Sequence, residues 1–537
     1  MRHNDVTNPY YGQYASSNGI TSIYTLRQRS YNLQQLLNYD QSFGKHNVSI
    51  MLGHEYYRFK ESYLYGSKSN MFDPNNFEFG GAITDGSPDS YTSVYNTEGW
   101  FGRAQYNYDE KYFGSFSLRR DGSSRFDPDN RWGTFWSAGA AWLISKESWF
   151  NQKWVDELKF KISYGEQGND RIGDYRYIDT YKIVNSNGKS SAIPYKKGNK
   201  EITWEKGGNF NTGFDFSLLK SRITGSIEYF YRKTSDMLFS FPLAPSYGFT
   251  SYYKNIGDMT NNGVELDLNG IILSKKDFEW SANFNITHYK NKVTKLADET
   301  KTLEVDGVKG FQSGDKFIGE GKPLYTYYLK KYAGVNENGE SMWYMNKKDA
   351  NGNITRTTTT SYSDASQYLC ETALPDAYGG FGTNVKYHGF DFSIQFTYQL
   401  GGHVYDSDYA SMMSSPNGSS RGSNFHADLL KSWSVENQGS DIPRFCFGDK
   451  YSGAASDRFL TSASYLTLQN ITAGYTLPKE ITAKAGIESV RFYFVADNVF
   501  LWSKRQGLDP RQSLTGSTTS SYYAPIRSIS GGLTVTF

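Results

Sequence analysis

No stretch of this sequence stays apolar for the roughly 20 residues that a transmembrane helix needs, so a helical membrane span is excluded. An excess of either charge is missing as well. The 57 basic and 55 acidic residues leave +2, which implies no nucleic acid or other polyanion as partner. Cysteine is scarce: Cys370 and Cys446 could form one disulfide or remain two thiols. The seven histidines show no metal-ligand spacing, and Walker A, H-E-x-x-H and G-x-S-x-G patterns are absent. No metal site, cofactor or catalytic constellation is therefore expected, and the chain does not read as an enzyme. The acidic stretch 121–129 lacks the residue order of a calcium loop and reads as solvated. The first residues contain no hydrophobic core of a secretory leader. Either the protein stays in the cytoplasm or the chain begins partway through a longer precursor, and the patterns that follow favour the second.

Aromatic residues are present in excess. Forty-four Tyr, 35 Phe and 11 Trp make 17% of the chain, although its mean hydropathy is −0.63. Tyr and Trp favour boundaries where one end of the ring is apolar and the other wet. Strict alternation runs through the sequence. Phe390, Phe392, Ile394, Phe396, Tyr398 and Leu400 interleave with Asp391, Ser393, Gln395, Thr397 and Gln399. Trp280, Ala282, Phe284 and Ile286 interleave with Ser281, Asn283, Asn285 and Thr287, and Val264, Leu266 and Leu268 with Glu265, Asp267 and Asn269. Successive strand residues point to opposite faces, so each segment has an apolar and a polar side.

A half-buried soluble sheet alternates in the same way. These segments, however, are about ten residues or longer and carry aromatics near their ends, as membrane girdles do. Their connections also alternate in length. Tight turns are expected at 42–46, 109–110, 219–221, 274–277 and 388–389, and long loops at 60–92, 165–202, 237–256, 297–374 and 401–464. Short periplasmic turns and long extracellular loops are the pattern of an outer-membrane barrel. The expectation is an all-β, transmembrane, antiparallel up-and-down β-barrel with about fifteen strands.

An ordered series of motifs carries a resemblance. It begins with Gly102-Arg103 and continues through Leu118-Arg119-Arg120-Asp121-Gly122-Ser123-Ser124-Arg125-Phe126, Asn130-Arg131-Trp132-Gly133 and Trp204-Glu205. It goes on through residues 255–266 (NIGDMTNNGVEL), 463–478 (ASYLTLQNITAGYTLP), Asp497-Asn498-Val499-Phe500 and Gly507-Leu508-Asp509-Pro510 to the terminal Gly531–Phe537. From about Ile20 onward the chain resembles the SusC/RagA family of TonB-dependent outer-membrane transporters.

The resemblance implies a barrel of about 22 strands, of which residues 1–537 would be the C-terminal portion, without a signal peptide, a plug domain or the first strands. It also implies import of a large polar nutrient, an oligosaccharide or a peptide. The implied partners are outer-membrane lipid, a SusD-like surface lipoprotein, the TonB complex (contacted through the missing N-terminal part) and the barrel-assembly machinery. Two other functions fit the residues alone: a passive porin or structural barrel, and a secreted carbohydrate-binding β-sandwich. Loop aromatics Trp343, Tyr344, Tyr405 and Trp433 are candidates for ligand contact, although rings there can equally pack the loops together. Phe537, an aromatic closing the last strand, resembles an assembly signal. By parity, the first and last strands, near residues 22–39 and 525–537, are expected to be unpaired edges.

Overall fold

Alternating residues of the kind described above pair as antiparallel ladders in the computed structural model. It describes residues 2–7, 16–73, 75–243, 245–249, 251–348, 353–416, 424–518 and 524–537; most of the N-terminal segment read for a leader lies outside them. Among the described residues the largest sheet has 17 strands. Two of these are short, Arg2–Thr7 and Ala82–Asp85. The remaining fifteen, the number the sequence implies, begin with β1 (Ile20–Phe43), β2 (His46–Met71), β3 (Asp89–Tyr108), β4 (Tyr112–Ser123) and β5 (Trp132–Leu143). Next come β6 (Val155–Asn169), β7 (Glu205–Leu218), β8 (Ile223–Ser235), β9 (Asp258–Lys275) and β10 (Phe278–Lys295). The series ends with β11 (Ala377–Tyr387), β12 (Phe390–Leu400), β13 (Tyr465–Thr476), β14 (Ser489–Ser503) and β15 (Ser528–Thr536).

The chain divides into two compact units. One contains Met1–Ala140, Ser163–Gly208 and Thr234–Ile256; the other contains Ala141–Ile162, Asn209–Lys233 and Gly257–Phe537.

In the first unit β1 to β4 form a meander. Tight turns join β1 to β2 and β3 to β4, where Gly44, Asp109 and Glu110 adopt positive φ, and a longer connection joins β2 to β3. Leu37, Tyr39, Ile50, Leu52, Phe116 and Leu118 share one face and are all exposed. The opposite face holds Arg119, whose guanidinium reaches Asp121 at 2.6 Å and Glu55 at 3.0 Å.

The loop expected at 60–92 is largely strand. β2 continues to Met71, and β3 pairs with it from Tyr65↔Asp89 onward. A strand of 26 residues extends about 85 Å, whereas a bilayer crossing needs only about 9–11 residues. Beyond the bilayer both faces are wet, so the hydropathy period fades while backbone pairing continues. Tyrosines support this extension: Tyr63 stacks on Tyr91 at 5.2 Å.

Among the described residues, β1 is the free edge that the sequence suggested except over its first residues. Arg2–Thr7 pairs with its first residues, Ile20 to Thr25. That strand lies in a stretch without hydropathy alternation, so the period gave no sign of it.

The second unit carries β9 through β15 in sequential antiparallel order. β11 and β12 turn in two residues, His388 (φ 45) and Gly389 (φ 87), a hairpin whose twist matches its strands. Phe284, Phe381 and Phe396 sit in register on one face, the last two stacked at 4.9 Å. Trp280, Phe284, Phe381, Phe392, Phe492, Phe494, Ile529 and Leu533 are all exposed.

Asn283 and Gln395 lie on the other face and exchange hydrogen bonds of 3.3 and 3.4 Å. They meet across Gly382, where a Cβ would fall 2.1 Å from the Gln395 Oε1, so only glycine lets the amide lie flat there. Further along this face Arg491 holds Asp391 at 2.6 Å and Asn470 donates to Asp497 at 2.7 Å. β15 pairs with β14 along Ser528–Thr536.

Candidate ligand-binding loops

Fully buried apolar side chains collect mainly under the loops, because strand side chains here face outward on one side and polar neighbours on the other. In the first unit the motif spanning residues 118–126 builds such a cluster. Phe126 is fully buried with Phe135, Ile172, Ile202 and Trp204, and its ring lies 5.4 Å from that of Trp204. The Trp204 Nε1 donates to the Arg131 carbonyl at 2.8 Å. Ser123 and Tyr95 donate to Asp170 at 2.6 and 2.8 Å. Arg125 pairs with Asp174 at 3.1 Å and lies 4.1 Å over the Tyr95 ring. The stretch 121–129 is therefore more than a solvated loop, since Asp121 and Arg125 are in ion pairs and Phe126 is in a buried ring cluster, while Pro128 and Asp129 are exposed. These contacts fasten loops together and leave the acids facing a guanidinium.

In the second unit two long connections fold into small sheets. Residues 297–374 contain a five-stranded sheet and a three-stranded one, and residues 401–464 add a two-stranded sheet and the short helix Ser407–Met412. Tyr327 joins these connections to a third. Its buried hydroxyl donates to the carbonyls of Gly516 (2.7 Å) and His403 (3.1 Å), and the Lys316 ammonium sits 3.3 Å from its ring centre. Gly516 is required there: its φ is +78 and a Cβ would meet the Tyr327 hydroxyl at 2.0 Å.

Burial pushes the Tyr327 phenol up and the Lys316 ammonium down. It pushes Tyr332 and Tyr405 up to about 12. These phenols stay neutral at physiological pH, and those of Tyr327 and Tyr332 act as donors. Tyr332 donates to the Asp441 carbonyl at 2.8 Å, and its backbone N–H donates to Asp457 at 2.7 Å. Asp406, almost fully buried, accepts from Arg505 at 2.8 Å and caps the helix by accepting from the Tyr409 backbone N–H at 3.0 Å.

The four aromatics named from the sequence are dispersed. Trp343 is only 1% exposed, with Tyr362 and Tyr451 packed edge-on at 5.2 and 5.9 Å. Tyr344, its strand neighbour, lies under Arg356, 5.5 Å from the ring centre. Trp433 covers Gly339 (φ +73), whose Cβ would lie 2.4 Å from the indole. Tyr405 packs edge-on against Phe459 at 6.3 Å. Tyr362 and Tyr451, which stack at 5.6 Å beside Trp343, were not singled out, because both sit in polar stretches without alternation. Cys370 and Cys446 are both free, the latter exposed. No group of residues suited to a metal ion occurs among those described.

Tyr409 donates to Asp428 at 2.9 Å. Burial, reinforced by this bond, pushes Tyr409 up to about 12. The Tyr409 hydrogen bond and Lys431 hold Asp428 below the usual carboxylate range. A depressed carboxyl stabilises the fold above its unfolded pKa of about 4, and that contribution is lost as pH falls through the folded value. A raised phenol stabilises below its unfolded value of about 10, and that contribution is lost as pH rises toward 12. The stability difference between wild type and Tyr409→Phe is thus expected to be flat from about pH 4 to pH 10 and to shrink on both sides, as thermal melts across that range can show.

A two-faced antiparallel wall with tight turns at one end and long, packed loops at the other defines a transmembrane β-barrel of the outer-membrane kind. The chain matches the family described as TonB dependent receptor-like, beta-barrel, over residues 2–499 and belongs to it; within that family it is of the SusC/RagA type. It is 30% identical to TonB-dependent receptor SusC of Bacteroides thetaiotaomicron over 537 aligned residues, covering 94% of this chain and 49% of that protein. It is also 30% identical to TonB-dependent receptor P3 of Formosa agariphila, covering 89% of this chain and 48% of that one. The solved structure of the RagAB peptide transporter superposes with a TM-score of 0.86 at 26% identity, over 100% of this chain and 58% of that chain. The chain spans about half the length of the curated relatives it matches. The family resides in the outer membrane, and its members are receptors and transporters, not enzymes.

Proposed function

We propose that this chain forms wall and loops of an energised outer-membrane importer for a large polar nutrient, an oligosaccharide or a peptide. The observation that carries the reading is the exposed apolar row on β10–β15 backed by a hydrogen-bonded polar face, which suits lipid on one side and a hydrated lumen on the other. The likeness to SusC and to a peptide transporter supports nutrient import. In this reading residues 1–537 are the C-terminal portion of the barrel. A SusD-like lipoprotein caps the loop end, TonB supplies the energy, and the host is a Gram-negative bacterium of the Bacteroidetes type. Uptake of labelled oligosaccharides or peptides by cells expressing the full-length receptor should stop when the TonB complex is deleted. Uptake that persists without TonB would mean a passive pore.

Phe537 is the proposed assembly signal, and its side chain is fully available, 88% exposed at the end of β15. Deleting it from the full-length protein is expected to lower the amount recovered in outer-membrane fractions. The molecules that do insert should keep normal ligand affinity. Unchanged outer-membrane levels would remove this role.

A further inference from the structure

The exposed apolar face of β1 to β4 changes character with distance from the tight turns. Leu37, Leu52 and Leu118 surround Gly102 in cross-strand register and line a groove of about 820 Å³. Gly102 sets its floor at backbone level, where a Cβ would lie 3.2 Å from the Leu52 side chain. The next row on this face, Gln35, His54, Trp100 and Arg120, closes the groove toward the loops. There the Arg120 guanidinium lies 5.6 Å over the Trp132 ring. Further from the turns the same face carries Arg29 and Lys60, directly opposite each other, and Arg58, opposite Tyr31. All three are exposed, and among the described residues none is paired with a carboxylate. Like charges set directly across two strands repel, so this pair is unfavourable until an anion sits between them. The acid nearest in register on this face is Glu98, which His54 and the Trp100 Nε1 hold, both at 3.3 Å.

We propose that this face binds a phosphorylated lipid of the loop-side leaflet, with phosphate between Arg29, Arg58 and Lys60 and an acyl chain in the groove over Gly102. The ligand lies outside the wall and is not the cargo, so the inference goes beyond nutrient import. Height supports it. Arg58 and Lys60 stand twelve and fourteen positions beyond His46, the first residue of β2. At about 3.3 Å per residue and a tilt near 40°, they lie about 30 and 35 Å up the wall. The apolar band is about 25 Å tall and headgroups occupy about 5–7 Å beyond it, within reach of these long side chains. Leu52 lies about 15 Å below Arg58, half of a hydrocarbon core about 30 Å thick, which is the depth that one leaflet's chain reaches. Phosphate oxygens accept strong hydrogen bonds from guanidinium and ammonium groups. A soluble anion could meet the cations but has nothing to place in the groove; a lipid joins the two.

The test mixes the full-length receptor in detergent micelles with diphosphoryl lipid A and counts bound lipid by native mass spectrometry. Wild type should retain the lipid, and zwitterionic phosphatidylethanolamine should bind about tenfold more weakly or less. Arg29→Gln, Arg58→Gln and Lys60→Gln together should weaken lipid A retention by about tenfold or more. The charge-preserving set Arg29→Lys, Arg58→Lys and Lys60→Arg should keep most of it, which separates lost charge from lost folding. Gly102→Val, which fills the groove at an exposed position, should weaken retention too, with the melting temperature unchanged. Inorganic phosphate at millimolar concentration should not displace the lipid. Retention equal in wild type and the glutamine variant overturns the proposal. So does equal binding of phosphatidylethanolamine, or displacement by inorganic phosphate alone, which would mean a site for a free anion.

Discussion

Arginine in place of Phe284 is expected to destabilise the inserted protein by about 2–4 kcal/mol, while arginine at the adjacent Asn283 costs less than about 1 kcal/mol. Phe284 follows Phe278, the first residue of β10, by six positions, or about 20 Å along the strand. A tilt near 40° places it close to the middle of an apolar band about 25 Å tall. Its ring is exposed beside that of Phe381, in register with Phe396, where a guanidinium would lose its water with no partner in reach. Asn283 already exchanges hydrogen bonds with Gln395 on the polar face, where a longer cation can reach water. Urea titrations of both variants folded into vesicles measure the difference. Equal costs would mean that the two faces do not differ in solvent.

Removing Asp406 is expected to loosen the loops while leaving the wall intact. Its carboxylate is almost fully buried and holds both the Arg505 guanidinium and the first turn of the helix Ser407–Met412. Asp406→Ala leaves a largely buried cation unpaired, at a cost of about 3 kcal/mol, with about 1 kcal/mol more for the lost cap. Asp406→Asn should recover only the cap, and Asp406→Ala combined with Arg505→Met should recover most of the charge penalty. Limited proteolysis should cut Asp406→Ala within residues 401–464 well before any strand. Wild-type resistance in that variant would show that the pair does not hold the loops.

The wall was legible in the sequence because its physics is local. Period-two hydropathy placed β12 over its observed bounds, and with the alternating loop lengths it implied about fifteen long strands. The turns were legible from their chemistry, as at His388-Gly389, where two positive φ values are needed in succession. Three things were hidden. The outer halves of β2 and β3 have no lipid face, so a ladder that continues through Tyr65↔Asp89 looked like loop. The small sheets within residues 297–374 depend on pairings such as Leu329↔Tyr368, across nearly forty residues of polar sequence. The candidate site was visible only in outline. Trp343 was singled out as an aromatic, but its neighbour Tyr451 comes from a different loop, joined by a contact that no period encodes.

The account rests on one claim, that alternate residues of the wall face lipid and water, and a nitroxide scan along β10 from Trp280 to Thr287 tests it most directly. In the full-length receptor in lipid vesicles, collision with oxygen should peak at positions 280, 282, 284 and 286. Collision with a water-soluble nickel chelate should peak at 281, 283, 285 and 287, in antiphase. Oxygen and nickel accessibilities that rise and fall together, or that show no period of two, would contradict a membrane-spanning wall.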